Sequence, residues 1–258
     1  MSVLTIKDKK INYLKEGTGA STFLLIHGWG GSLESMRSLH NLLKKGNTSV
    51  VLDLPGFGKS DNPDPEWGVS EYAELVVNFV KGIGLDKVIL FGHSFGGALS
   101  IYMSAKYPDI ADKLILCAPS FKRNTSQSEN LGAGFWFKIK AFTKIPVYEN
   151  LKPKLTFVRK LFYKIFYPGS DVLSHPHLEN NFRKIVTQDL TPILSEIKQK
   201  TLILWGEDDT YVPLNHAHLL NEKVKDSKLV ICEHGNHGLP KFQPDWVYNE
   251  IEKFIKEN

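Results

Sequence analysis

Two cysteines, Cys117 and Cys232, are all that this chain of 258 residues contains. So few exclude a disulfide framework, and their separation excludes metal-ligand spacing. Both sit in apolar runs, LILC and LVIC, where a thiol reads as a small buried hydrophobe. An apolar run of the ~18 residues needed to span a bilayer is also missing. The opening residues, MSVLTIKDKKINYLKEG, carry no apolar core of signal-peptide length, and a cytoplasmic protein is therefore expected. No internal repeat and no low-complexity tract is present, which excludes solenoids and disordered arrays. A uniform excess of one charge is absent as well. The net charge of +4 hides a segment, residues 121–168, with ten Lys or Arg against Glu129 and Glu149, while the remainder carries −4. The basic excess belongs to that segment alone, and no nucleic-acid partner is expected.

What is present is a rhythm. Eight short aliphatic or β-branched runs occur at 3–6, 11–14, 22–27, 49–54, 87–92, 113–118, 201–206 and 228–233. The later ones are apolar throughout, as parallel strands buried on both faces are. Helical periodicity fills Ser70–Lys81, Phe95–Lys106, Pro213–Val224 and Pro244–Ile255, the last placing Val247, Ile251, Phe254 and Ile255 on one face. Strand alternating with helix predicts a mostly parallel sheet covered on both sides, with the first two strands as an antiparallel edge. From about Ser120 to Thr191 no strand signal appears. That stretch is helical, aromatic and basic, and it reads as a lobe inserted between core strands, with the core at 1–119 and 190–258 and the lobe at 120–189.

Four places carry chemistry. In KVILFGHSFGGALS (87–100) a buried strand runs through Gly92-His93-Ser94-Phe95-Gly96 into a helix, which is the G-x-S-x-G elbow in its strand–turn–helix setting. A serine on so tight a turn needs small residues two before and two after it. The turn lifts Oγ above the sheet, and the helix start puts the Phe95 N–H beside a developing oxyanion. The second place is HGWGGS (27–32), a glycine-rich turn after a strand that can bring the Trp29 N–H beside that of Phe95. No G-x-G-x-x-G and no P-loop lysine is there to make it a phosphate cradle. His27 reads as structural. The third is a strand end carrying Glu207, Asp208 and Asp209, any one of which could orient a histidine. The fourth is a loop with His234 and His237, either of which could act as a general base. Serine, acid and histidine follow one another in the order Ser…Asp…His, each after its own predicted strand.

With HGWGGS, DLPGFGKSD (53–61), GHSFGG (92–97), WGEDDTYVP (205–213) and HGLPKFQPDWV (237–247), the sequence resembles the cap-bearing bacterial esterases and carbon–carbon hydrolases of the α/β-hydrolase fold. The resemblance covers about residues 20–120 and 190–258. It implies that Asp209, three after Gly206 and four before Pro213, is the acid, and that His237, seven before Pro244, is the base. Asp53 then reads as structural. Gly238, where an aromatic residue is common, is expected to leave the loop looser or the pocket wider. The implied chemistry is ester hydrolysis through a Ser94 acyl-enzyme with no metal and no cofactor. Substrate contacts are expected from Trp29, Phe95 and Val212 of the core and from Phe135, Trp136 and Phe162 of the lobe. The implied ligand is a small ester with an apolar acyl group. Related dehalogenases and epoxide hydrolases use a carboxylate nucleophile, which Ser94 is not. The alternatives are a thioesterase or perhydrolase, a receptor on the same fold, or hydrolysis of a carbon–carbon bond in a vinylogous diketo acid. Enzymes of the last kind favour asparagine where this chain has His93 and use a cap arginine, a place open to Arg159 or Arg183. The basic face of the lobe carries two readings: solvated lysines above a packed stripe, or a surface that draws acidic substrates or anionic lipid.

Overall fold

The computed structural model describes residues 1–122 and 175–257. All eight predicted runs are strands: β1 Ser2–Ile6, β2 Lys9–Glu16, β3 Thr22–Ile26, β4 Thr48–Leu52, β5 Val88–His93, β6 Ala111–Cys117, β7 Lys200–Gly206 and β8 Ser227–Cys232. They form one sheet in the order β1-β2-β4-β3-β5-β6-β7-β8. The first two strands are antiparallel to each other and β2 is antiparallel to β4, while every later pairing is parallel. The fold is that of an α/β hydrolase.

Side-chain alternation along the strands divides the apolar residues between two faces. Leu24, Ile26 and Leu90 join Tyr72, Phe79 and Leu99 on one face, under helices α2 (Val69–Gly82) and α3 (Phe95–Lys106). Phe23, Leu25, Ile89 and Phe91 join Leu39, Leu43, Val247 and Phe254 on the other face. Those last four belong to α1 (Arg37–Leu43) and to the C-terminal helix, α7 (Pro244–Lys256). The remaining helices among the described residues are α4 (Glu179–Val186), α5 (Asn215–Lys223) and the single turn α6 (Leu239–Phe242). Helix α5 starts two residues after the predicted Pro213. Short α1 lies in a stretch where no helix was expected. Its seven residues hold only two turns, too few for periodicity to stand out from chance. Both thiols are buried, and burial raises that of Cys117 above the usual thiol range.

The sheet order reverses at β3, which lies between β4 and β5. In such open sheets the crevice beyond the carboxyl ends of the strands, at the point of reversal, is where ligands bind. Here the crevice receives the turn after β3 and the turn after β5. The lobe expected at 120–189 lies mostly outside the described residues; of those described, Leu178 already packs into the core, and Leu190 N–H donates to the Phe121 carbonyl at 2.9 Å. The returning segment, 178–190, is pinned to the start of α2. The buried Asn181 amide donates to the carbonyls of Asp64 (2.7 Å) and Trp67 (3.2 Å), and Gln188 Oε1 accepts from Val69 N–H at 2.7 Å. Lys184 Nζ donates to the Glu66 carbonyl and approaches Glu71 at 3.3 Å. Such bonds to buried amides fix where the segment lies more than how stable it is. None of the helices described is long and apolar enough to cross a membrane.

Candidate active site

Ser94 sits between β5 and α3 with φ 53° and ψ −115°, a region that L-residues seldom occupy. Such a backbone costs about 1–3 kcal/mol and persists where its surroundings impose it. The two glycines around it show how they do so. A side chain at Gly96 would run into the carbonyls of Ile26 and His27, and one at Gly92 into Ser100 and the Gly96 carbonyl. The turn after β3 is equally close, since a Cβ on Gly28 would lie 3.0 Å from Ser94 Cβ. Among the described residues, the N–H groups of Phe95 and Trp29 have no hydrogen-bond acceptor. The Phe95 ring is 3% exposed, set edge-on to Trp29 (5.6 Å) and Tyr72 (5.2 Å), so its N–H is the group left to meet a ligand. Trp29 also meets Phe57 at 5.0 Å and Phe182 of α4 at 5.3 Å. This aromatic wall joins the core to the returning segment.

His27 and Asp53 have structural places. Buried His27 donates from Nδ1 to the Gly28 carbonyl at 2.7 Å and accepts at Nε2 from Leu54 N–H at 3.0 Å. Burial lowers its basicity, in keeping with a neutral ring. Asp53 accepts from Leu33 N–H (2.7 Å), Asn12 Nδ2 (2.8 Å) and Lys59 N–H (2.9 Å), tying the turns after β3 and β4 together.

The three acids and two histidines at the other end of the crevice separate cleanly. Asp209 Oδ2 accepts from His237 Nδ1 at 2.7 Å, while Oδ1 accepts from the N–H groups of Tyr211 (2.8 Å) and Val212 (2.9 Å). The Asp209 side chain is wholly buried and that of His237 is 16% exposed. Charge-assisted bonds of this kind are about twice as strong as neutral ones and hold a carboxylate out of water. Glu207 instead accepts from the His234 N–H at 3.2 Å, and Asp208 stands 3.9 Å from a His234 ring that is 90% exposed. Val212 is buried, and its carbonyl accepts from Trp205 Nε1 at 3.1 Å. Beside Gly238 an added Cβ would come within 2.6 Å of the ring of Phe242, an exposed side chain.

Three contacts had no counterpart in the motifs. Tyr211 stacks on the His237 imidazole with centroids 5.2 Å apart and planes at 24°. His93 donates from Nε2 to the His237 carbonyl at 2.7 Å, bracing the loop from the residue next to Ser94. Ser94 Oγ lies 3.2 Å from Ser120 Oγ, the hydrogen bond that its side chain makes among the described residues. The signal that could have found Ser120 is topological: β6 is the sheet neighbour of β5, so the first residues beyond both strands share an edge. Phe135, Trp136, Phe162 and Arg159 lie outside the described residues. Arg183 pairs with Glu179 at 2.7 Å along α4.

The His93 strut has a consequence for pH. Burial and the nearby His237 push His93 down to about 3 from 6.5. A histidine in the unfolded chain takes its proton near 6.5, and the folded one declines it until about pH 3. Its contribution to stability is therefore complete above 6.5 and is lost as pH falls through that interval. Between pH 7 and pH 5 this amounts to about 2 kcal/mol. His27, His40 and His216, whose basicity burial also lowers, add losses of the same sign over this interval, so His93 supplies one part of the slope, while Glu16, lowered to about 2 from 4.5, titrates mostly below it. His93→Gln, whose amide can donate at a similar reach without titrating, is expected to flatten the fall of Tm between pH 7 and pH 5. An unchanged slope in calorimetric melts would remove His93 as a contributor to it.

The model of the family described by the α/β-hydrolase fold matches residues 21–168. The chain belongs to the α/β-hydrolase fold family. Among curated relatives of this α/β hydrolase is a 2-hydroxy-6-oxononadienedioate/2-hydroxy-6-oxononatrienedioate hydrolase of Comamonas testosteroni. It is 27% identical over 91% of this chain and 88% of the relative. A 2-hydroxy-6-oxo-6-phenylhexa-2,4-dienoate hydrolase of Burkholderia cepacia is 28% identical over 91% and 88% of the two chains. Among solved structures, a membrane phospholipase A described as a bacterial virulence factor superposes with TM-score 0.74 at 24% identity, covering 99% of this chain and 85% of that one.

Proposed function

We propose that this hydrolase cleaves a bond beside a carbonyl carbon through an acyl-enzyme on Ser94. The observation that carries the reading is the 2.7 Å bond of His237 Nδ1 to buried Asp209, at the sheet edge where Ser94 occupies its strained elbow. With Nδ1–H committed to Asp209, the imidazole presents Nε2 as the base. Ser94 Oγ attacks the carbonyl as His237 takes its proton. The N–H groups of Phe95 and Trp29 receive the oxyanion. His237 then protonates the departing group, and a water activated by the same imidazole releases the acid.

The bond itself carries two readings. Both curated relatives described above have names that specify 2-hydroxy-6-oxo dienoates, and this supports a carbon–carbon bond beside a ketone better than it supports the ester that the motifs put first. The ester reading draws on His93 in place of the asparagine common in such enzymes. One panel separates them. Purified protein is given 2-hydroxy-6-oxo-6-phenylhexa-2,4-dienoate, followed by loss of its conjugated absorbance, and p-nitrophenyl butyrate in parallel. A kcat/KM at least 100-fold higher for the dienoate establishes carbon–carbon cleavage, and the reverse ratio establishes an esterase. Turnover of neither, with no fluorophosphonate label on Ser94, would overturn the hydrolytic reading altogether.

A further inference from the structure

Ser120 follows Ala118-Pro119, just past β6, and three hydrogen bonds tie this stretch to the nucleophile. Ser94 N–H donates to the Cys117 carbonyl at 3.0 Å, Ser120 N–H donates to the Ser94 carbonyl at 3.0 Å, and the two hydroxyl oxygens are 3.2 Å apart. Ala118 has φ 44°, which turns the chain back toward Ser94. Pro119 packs so closely on α3 that a Cβ on Gly97 would come within 2.6 Å of it. The backbone therefore places the Ser120 Cβ beside Ser94, and a hydroxyl on so short a side chain loses little entropy on being held at Oγ. When Ser94 gives its own proton to His237, its Oγ has only lone pairs to offer. The bond between the hydroxyls must then run from Ser120 O–H to Ser94 Oγ.

We propose that Ser120 is a catalytic hydrogen-bond donor to Ser94 Oγ and acts chiefly in deacylation. The proposal rests on the acyl-enzyme reading above. In the acyl-enzyme, Oγ is an ester oxygen. Water adds to the acyl carbon and gives its proton to His237. The intermediate collapses, the C–Oγ bond breaks with its electron pair passing to Oγ, and His237 returns the proton to Oγ. Free Ser94 and a carboxylic acid result, and Ser120 neither gains nor loses a proton. Charge builds on Oγ as this bond breaks, so the bond from Ser120 is stronger in that transition state than before it, which is the condition for catalysis. During acylation the free Ser94 hydroxyl already accepts from Ser120 before attack, whereas the ester oxygen of the acyl-enzyme is a weak acceptor, so the bond gains less in acylation than in deacylation.

The test compares Ser120→Ala and Ser120→Thr with the parent, on whichever compound of the panel is turned over. Rapid-mixing kinetics give the acylation and deacylation rate constants, and intact mass gives the fraction acylated. For Ser120→Ala the expected result is deacylation slowed about tenfold, equal to about 1.4 kcal/mol. Acylation and fluorophosphonate labelling of Ser94 should stay within about threefold, with a burst of first product and the acyl mass on the protein. Ser120→Thr keeps the hydroxyl and should restore deacylation to within about threefold. Deacylation within twofold of the parent in Ser120→Ala would overturn the proposal. So would an equal fall of acylation, deacylation and labelling together with a lower Tm, which would make Ser120 structural. Failure of the acyl-enzyme reading itself is seen separately, as a parent protein with no acyl mass and no label on Ser94.

Discussion

Ser94→Ala is expected to lower turnover by a factor of about 10⁴–10⁶, with thermal stability unchanged or slightly raised. Losing the nucleophile of such a set leaves the residual rate supplied by oxyanion donors and binding, and this is the scale of that loss. The sign of the stability change follows from the geometry. Ser94 is held at φ 53°, and the elbow around it is set by Gly92, Gly96 and the backbone bonds to Cys117 and Ser120, none of which needs the hydroxyl. Alanine has the same Cβ and leaves the turn intact. The check is a fluorophosphonate probe followed by peptide mapping, with melting curves alongside. Label on any serine other than Ser94 would refute the assignment.

The second large effect separates neighbours. Asp209→Asn and His237→Ala are each expected to reduce kcat by about 10⁴ or more, while Glu207→Gln, Asp208→Asn and His234→Ala should change it by less than about threefold. Asparagine at 209 can still accept from the Tyr211 and Val212 N–H groups through its oxygen. It then turns an NH₂ toward His237 Nδ1 and imposes the wrong tautomer, so the loss falls on kcat and the fold survives. His234 and Asp208 are exposed, and their pairing at 3.9 Å contributes little. Steady-state rates of the five variants decide the matter. An inactive His234→Ala beside an active His237→Ala would reverse the roles of the two histidines.

Much of this molecule could be read from the chain because its signals are local. Eight aliphatic runs became eight strands, and the antiparallel start was foreseen from the short spacing of β1 and β2. The G-x-S-x-G elbow was legible because each glycine answers a clash within a few residues or with the adjoining strand. Helix α1 was missed, being too short to show a period. The preference for an ester rested on motifs that the fold shares across many chemistries, and relatives whose names specify 2-hydroxy-6-oxo dienoates draw the proposal toward a carbon–carbon bond.

By itself the sequence determined that an apolar, mostly parallel sheet would carry a serine on a tight turn, with an acid and a histidine on later loops. Periodicity and turn chemistry act over a few residues and need no partner. Only the tertiary structure decided which groups meet. It set Asp209 against His237 and sent Glu207 and Asp208 toward His234. It braced the His237 carbonyl with His93, stacked Tyr211 on the imidazole and brought Ser120 to Ser94. These residues lie between 26 and 144 positions apart, apart from those within one loop. Their contacts depend on the order of strands in the sheet, which places the ends of β5, β6, β7 and β8 along one edge. That order is set by long-range packing and by loop closures whose cost grows only slowly with length, so it leaves no trace in the spacing of any one motif.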